Sequence, residues 1–363
     1  RFIERGFNWC KDSGFNSMVT MQSWMFLSSY QAMREKLLQY RTIQTMAHLG
    51  ARAFPEISGE VVQTTAFVMQ GKHLDGFKPV FFRLVDTAQD SKEIELKAGL
   101  NRFDSTVQDD FKKIPGSPVA YWVSDKIVDA FTFGKPLKEY ADARQGLATA
   151  DNNLYLKLWN ELNINQIYFE ATDATKAIQS GRKWFPHSKG GGFRRWYGNN
   201  EWVINWENDG FELRKFEKSV IRNAHDYFKG GVTWCDLTSS YFNARSVGQG
   251  FVFDTTGPTA ILKKQEHKSI LHGFMNSKVF QTLVNISLQG LHYSNGVIAI
   301  TPVLEKIFDD SRLSKIENKL YEISKIDWDS YETSWDFTEN PIIRTHQSNL
   351  EQAFNTWQQH NAD

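Results

Sequence analysis

The sequence predicts an α/β protein: the closing half of a doubly wound sheet, then an α+β region, then a helical tail. Two observations carry this. From Gly14 to Arg83 the pattern reads strand, helix, strand, strand, strand, and one crossover helix followed by antiparallel neighbours is how some open α/β sheets finish. After residue 303 the chain becomes charged, with apolar residues at helical spacing. No opening half precedes Gly14, and the chain starts at Arg1. It is therefore expected to be a fragment whose cofactor and catalytic loops lie upstream.

Residues 1–86 hold the half sheet. Phe15 to Gln22 alternates as a strand does and ends in the loop Ser23-Trp24. Ser28 or Ser29 is placed to cap a helix through Tyr40, with Met33, Leu37 and Leu38 on its inner stripe. Thr42–Leu49 and Glu60–Gln70 read as strands separated by Gly50-Ala51-Arg52-Ala53-Phe54-Pro55. Phe77–Val85 is expected to pair with the preceding strand through the turn Asp75-Gly76. Residues 87–116 are polar, end in Lys112-Lys113-Ile114-Pro115-Gly116, and read as a linker.

The second region, 117–303, mixes short strands and turns. Ser124 is placed to cap a short helix to Phe131, and His267–Ile286 reads as one long helix. The tail, 304–363, carries Ile316, Leu320 and Ile323, then Leu350, Phe354 and Trp357, as packing or spacer helices do.

Lysine plus arginine equals aspartate plus glutamate at 42 each, so only local clustering can favour a nucleic acid or a membrane. No apolar run approaches the ~20 residues needed to cross a bilayer. Cys10 and Cys235 lack metal-ligand spacing and suit a reducing cytosol. The nine histidines show no zinc spacing, no Gly-x-Ser-x-Gly elbow occurs, and no metal ligand set is predicted.

Local clustering does occur between Thr175 and Asn200. This stretch holds Lys176, Arg182, Lys183, Lys189, Arg194 and Arg195, no acidic residue, and the interleaved aromatics Trp184, Phe185, Phe193, Trp196 and Tyr197. Cations for phosphates and planar rings for bases are what a nucleic acid selects, and Gly190-Gly191-Gly192 admits a close partner. A solvated basic loop with its aromatics in the core gives the same composition. Phe54-Pro55 places an aromatic at a sheet edge, either as a stacking surface or as a hydrophobic plug. The turn Gly146–Asn152, with Thr149 and Asn152, either offers contacts to backbone or base edges or is an ordinary turn. Glu207, Asp209 and Glu212 before Arg214-Lys215 suggest a metal nuclease faintly, and a surface charge cluster more simply.

The order of these segments resembles the C-terminal part of the gamma class of DNA adenine-N6 methyltransferases, most of all the PglX-type enzymes of BREX phage defence. The resemblance rests on Gly14–Leu27 with its Gln22-Ser23-Trp24, on Ile43–Gly50, and on Ala53-Phe54-Pro55 followed by Glu60–Val68. In the later region it rests on Gly116–Trp122, Arg144–Asn152, Lys183–Gly210 and Leu271–Lys278. It implies a Rossmann-like, S-adenosylmethionine-dependent methyltransferase sheet, a target-recognition domain over 117–303, and Phe54 stacked on a flipped adenine. It also implies double-stranded DNA and other BREX proteins as partners and a cytoplasmic enzyme.

Two family motifs are missing: no Asn-Pro-Pro-Tyr/Phe loop and no Asp-x-x-x-Gly-x-Gly cofactor loop occur in the sequence. No catalytic residue is assigned in this chain, and the main cofactor loop is expected outside it. Base readout is assigned to Arg194, Arg195, Asn199 and Arg245, phosphate contact to Lys183 and Lys189. The alternatives are a non-catalytic DNA specificity subunit and a metal-dependent nuclease.

Overall fold

A computed structural model describes residues 2–54, 62–288 and 291–362 of the chain. Two compact units emerge: Arg1–Gly134 with Asn285–Gln289, and Lys135–Val284 with Gly290–Asp363.

The first unit contains α1 (Phe2–Trp9), β1 (Phe15–Met21), α2 (Gln31–Tyr40), β2 (Thr42–Gly50), β3 (Thr64–Gln70), β4 (Val80–Arg83), α3 (Lys92–Lys97), β5 (Arg102–Phe103) and α4 (Asp125–Phe133). Its sheet runs β1-β3-β2-β4-β5. β3 lies antiparallel between β1 and β2, and β4 is parallel to β2, so β1, β2 and β4 point one way. The expected hairpin between β3 and β4 does not form. Both edges of β3 are taken by β1 and β2, so β4 joins the free edge of β2. There Phe81 is fully buried and stacks on Tyr121 with centroids 4.2 Å apart.

Neither serine caps α2. Ser28–Tyr30 is a 3-10 turn, and Tyr30 stands at the N-cap without a side-chain bond. The helix is anchored by Arg34, buried among carbonyls. Its guanidinium donates to Trp24 O at 2.9 Å, Leu27 O at 3.0 Å and Ser117 O at 3.0 Å. Of the strand expected at Glu60–Gln70, residues 60 and 61 lie outside the described residues, as does Pro55.

The stretch 87–116, read as a linker, is folded into the first unit. Two of its polar side chains, Gln108 and Lys92, point inward and satisfy main-chain groups. Gln108 accepts from Ile43 N at 2.8 Å and donates to Arg41 O at 2.7 Å, while Lys92 donates to Leu49 O at 2.7 Å and Leu84 O at 2.5 Å. A composition that suggests solvent thus serves the interior.

The second unit contains β6 (Lys135–Pro136), β7 (Ala141–Arg144), α5 (Asn152–Tyr155), β8 (Leu156–Leu158), α6 (Ala174–Gln179), β9 (Trp184–Ser188), β10 (Trp202–Asn205), α7 (Glu207–Lys215), β11 (Gly231–Trp234), β12 (Ala244–Val247), β13 (Val252–Phe253) and β14 (Thr259–Leu262). Then follow α8 (Lys268–Met275), α9 (Lys278–Ser287), α10 (Asn295–Ile300), β15 (Pro302–Val303), α11 (Ser311–Asp329) and α12 (Leu350–Ala362). Two four-stranded sheets, β13-β9-β10-β8 and β12-β11-β14-β7, frame it. Phe185, Trp206, Tyr227, Phe228 and Phe253 fill one cluster of its core.

The single helix expected over His267–Ile286 is broken in two. Asn276 turns its amide back to Ala244 O at 2.9 Å, and Ser277 Oγ accepts from Phe280 N at 3.1 Å, starting α9 afresh. The helical tail is not separate either. α11 packs on α8 through a buried pair, His272 Nδ1 to Glu317 Oε1 at 2.5 Å, and buries Trp328. Among the described residues no helix is long and apolar enough to cross a membrane.

Candidate nucleic-acid interface

In the second unit β9 runs into Lys189 and the three glycines. Gly190 has φ +76°, and a Cβ there would meet Thr256 O at 2.6 Å, so the close approach of the Asp254–Thr256 segment requires glycine. Around this loop the predicted cations meet different fates.

Arg245 is buried. It donates to Asn243 Oδ1 at 3.0 Å and Gly190 O at 3.3 Å, so it props the glycine loop from beneath. Base readout by Arg245 is therefore corrected: the guanidinium is spent on the interior. Arg194 is likewise engaged, paired with Asp327 and lying over the Trp328 ring at 4.9 Å. It ties the loop to α11 and is not free for a base. Asn199 (φ +59°) donates to Gly192 O at 2.9 Å and shapes the loop.

Three cations keep an outward aspect. Arg195 lies over Phe193 at 5.5 Å, with Phe193 exposed. Lys189 lies over Trp202 at 5.3 Å, and burial lowers its ammonium pKa against the pull of Asp254. Lys183 is exposed beside Trp184 at the opposite end of β9.

The turn with Thr149 and Asn152 reaches the same loop through the main chain, because Thr255 N donates to Leu147 O at 2.9 Å. Thr149 itself is buried, its hydroxyl closing the turn on Asn152 Oδ1 at 2.6 Å. Asp254 holds the segment between. Burial would raise its pKa, but bonds from His187 and Thr256 bring it down to about 2. Lys189, the glycines, Thr256 and the Thr149 turn are thus one hydrogen-bonded frame. Thr256 Oγ1 completes it by donating to Lys189 O at 2.9 Å.

The carboxylates considered for a nuclease do not converge. Asp209 pairs with Arg214 at 2.9 Å, and Glu212 accepts from Asn205 at 2.8 Å. Among the described residues the one grouping with metal-ligand spacing is His73, Asp75 and Asp109, and Asp109 already accepts from Lys112 at 3.0 Å.

In the first unit Phe54 sits on the connection that leaves β2, 39% exposed. The root of that connection is built from residues the sequence reading missed. Lys92 clamps Leu49 O to Leu84 O at the ends of β2 and β4. His48 is buried between Gln22 Oε1 at 2.6 Å and the Tyr121 hydroxyl at 3.1 Å. Gln22 uses its amide nitrogen on Gln63, so its oxygen accepts from His48 Nε2–H, and Tyr121 donates to Nδ1. Burial and the nearby Arg83 push the His48 pKa down to about 4, so the ring is neutral at neutral pH. Phe26 and Trp122 pack on that ring, with centroids 5.9 and 6.1 Å away. The signal available was a histidine near the end of an apolar strand, which alone does not distinguish a core residue from a site.

The carboxyl ends of parallel strands are where open α/β sheets place ligands. Here those ends carry Gln22, the Leu49-Gly50 corner and Leu84. Asp86, the nearest carboxylate after β4, is paired with Arg83.

No protein-family model matches the sequence. Over 359 residues the chain is 41% identical to the adenine-specific methyltransferase BrxX of Escherichia coli O9:H4 (strain HS), covering 97% of this chain. The chain resembles adenine-specific methyltransferases. It is also 36% identical over 378 residues, 98% of its length, to the adenine-specific methyltransferase PglX of Lacticaseibacillus casei (strain Zhang). The chain spans 28% of the first relative and 31% of the second. Among solved structures, the type IIL restriction-modification enzyme MmeI in complex with DNA aligns with 94% of this chain and 46% of its own, at 12% identity and a TM-score of 0.47.

Proposed function

We propose that this chain supplies target recognition, and one wall of the base pocket, to a sequence-specific DNA adenine-N6 methyltransferase of BREX-type phage defence. The observation that carries the reading is its similarity to BrxX and PglX over nearly its whole length. On this reading residues 1–86 contribute the closing half of the methyltransferase sheet, and 117–303 the recognition domain. The antiparallel β3 between parallel β1 and β2 supports the first part, because it closes the sheet beyond a single crossover helix.

The exocyclic amine of adenine is paired inside the duplex, so the base must be extruded and held flat. Phe54 is the stacking wall, contributing roughly 1–3 kcal/mol. Lys189 and Lys183 contact phosphates, and Arg195 reads a base edge. Arg194, Arg245, Asn199 and Thr149 act indirectly, by fixing the loops that carry the contacts, and Asn152 shapes its own turn.

The methyl donor is S-adenosylmethionine. The residues present do not fit its main binding loop: among the described residues the ends of β1 and β2 offer no carboxylate for ribose hydroxyls, and Asp86 after β4 is paired with Arg83. No step of methyl transfer is therefore assigned to side chains of this chain. Other BREX proteins are partners, and the cytoplasm is the working compartment, on the same reading.

The test is to sequence genomic DNA for N6-methyladenine with and without the gene. One motif should lose its methylation on deletion. Unchanged methylation at every motif would overturn the reading.

A further inference from the structure

The Leu237–Tyr241 loop of the second unit stands outside every role assigned so far. Leu237 is 59% exposed, Tyr241 67% and Leu291 51%, large apolar side chains left in water within a run of hydroxyl residues, Thr238-Ser239-Ser240. The loop is held at its far root, where Phe242 N donates to Gln281 Oε1 at 2.7 Å, and at its near root. Thr238 N donates to Leu291 O at 3.2 Å, Tyr293 N to Asp236 O at 2.7 Å, and Trp234 Nε1 to Tyr293 O at 2.8 Å.

The near root joins the frame of the glycine loop. Cys235 Sγ donates to Gly191 O at 3.1 Å, and Asp236 N donates to Thr256 O at 3.1 Å. The apolar tip therefore rises from the backbone that presents Lys189. Resting on the proposed function, we infer that Leu237 and Tyr241 form an apolar arm that enters a groove of duplex DNA and packs against base pairs.

The chemistry of the loop selects this contact. From Asp236 to Phe242 there is no lysine or arginine, so the arm brings no cation to the phosphates and any contact it makes with them is through hydroxyls or main-chain N–H groups. Its single charge, Asp236, lies 3.3 Å from His292. What remains is a leucine, a tyrosine and three hydroxyls, the side chains that wedge at base steps, meet thymine methyls and bond base edges. Cations on the adjoining frame, Lys189 and Arg195, complement an anionic partner and favour DNA over a second protein. Such a wedge also lowers the cost of unstacking a base that must leave the duplex.

The test uses the whole chain and a fluorescein-labelled duplex of mixed sequence carrying 2-aminopurine at spaced positions. Wild type, L237S/Y241A and Lys189→Ala are titrated between about 50 and 200 mM salt. The double variant, altered only at exposed positions, should keep the wild-type melting temperature and bind about tenfold more weakly. Its salt slope should match that of wild type, and the rise in 2-aminopurine fluorescence should be lost. Lys189→Ala should instead make the salt slope shallower.

If the double variant binds like wild type while Lys189→Ala is impaired, the arm does not meet DNA and the proposed function stands. Absence of duplex binding by wild type would overturn both. Concentration-dependent self-association of wild type that the double variant abolishes would make the loop a protein interface and overturn the arm alone.

Discussion

Phe54 and the Gly190–Asn199 loop invite comparison, because aromatic or basic composition singled out both, yet they are built on opposite plans. The connection with Phe54 presents one exposed ring on a root of buried polar groups, with Lys92 on two carbonyls and His48 between Gln22 and Tyr121. The glycine loop presents many polar groups, but Arg245 and Arg194 serve to hold it in place. In both places a cation's energy goes into main-chain carbonyls or an internal pair, and a few side chains are left for a ligand. Counting basic residues in a sequence therefore overstates a nucleic-acid surface. Those with internal partners, such as Arg245 and Arg194, set the shape of the loop, and fewer are left for a ligand.

The largest expected effect breaks the second plan. Arg245→Ala removes the donors to Gly190 O and Asn243 Oδ1 and leaves a cavity where the side chain was buried. It should cost about 3 kcal/mol in urea unfolding. A loss below about 0.5 kcal/mol would show that the residue is dispensable to the frame, and would reopen it for direct readout.

The first plan is probed by acid. Native His48 titrates at about 4 against an ordinary 6.5, so the unfolded chain binds more protons between those values. Its contribution is complete above pH 6.5 and is lost as pH falls toward 4, up to about 3 kcal/mol. Asp254 has the opposite kind of group but the same direction of loss: its stabilisation holds above about 3.8 and fades toward 2. Unfolding between pH 6.5 and 4 should thus weaken wild type and leave His48→Gln nearly flat, apart from groups common to both. A variant that keeps the wild-type acid slope would exclude His48 as its source.

A smaller effect sharpens the division within the glycine loop. Arg195→Ala, if its guanidinium reads a base edge, should relax the methylated motif at one position, about 2 kcal/mol of discrimination. Lys189→Ala should weaken binding alike on all sequences and reduce the salt slope by about one. Motif sequencing with salt titration separates them, and the reverse pattern would exchange their roles.

Much of the first sheet was legible because strands such as Phe15–Met21 and Thr42–Gly50 carry their pattern locally. The partner of β4 was not, since pairing depends on which strand edges are already occupied. The polar stretch 87–116 was misread for a related reason: Gln108 and Lys92 look solvent-facing in sequence, and only the fold reveals the carbonyls they satisfy. In the candidate site, composition singled out the glycine loop but could not separate buried Arg245 from half-buried Arg195. The Leu237–Tyr241 loop carried a signal, apolar residues within a hydroxyl run, that is weak until exposure is known. His48 had none beyond its place near a strand end.

The smallest effect tests the lone ring. Phe54 is 39% exposed, so Phe54→Ala should leave unfolding within about 0.5 kcal/mol of wild type. Its loss should appear in methylation instead, as a fall of about tenfold in the rate at which the motif is remethylated after replication, equivalent to about 1.4 kcal/mol of stacking. Phe54→Trp retains a planar face and should recover most of that rate, which a simple hydrophobic plug would not require. Equal methylation by the alanine variant would place the adenine's stacking partner elsewhere. A fall in both rate and stability would make Phe54 a core residue, and the contrast with the glycine loop would then rest on His48 and Lys92 alone.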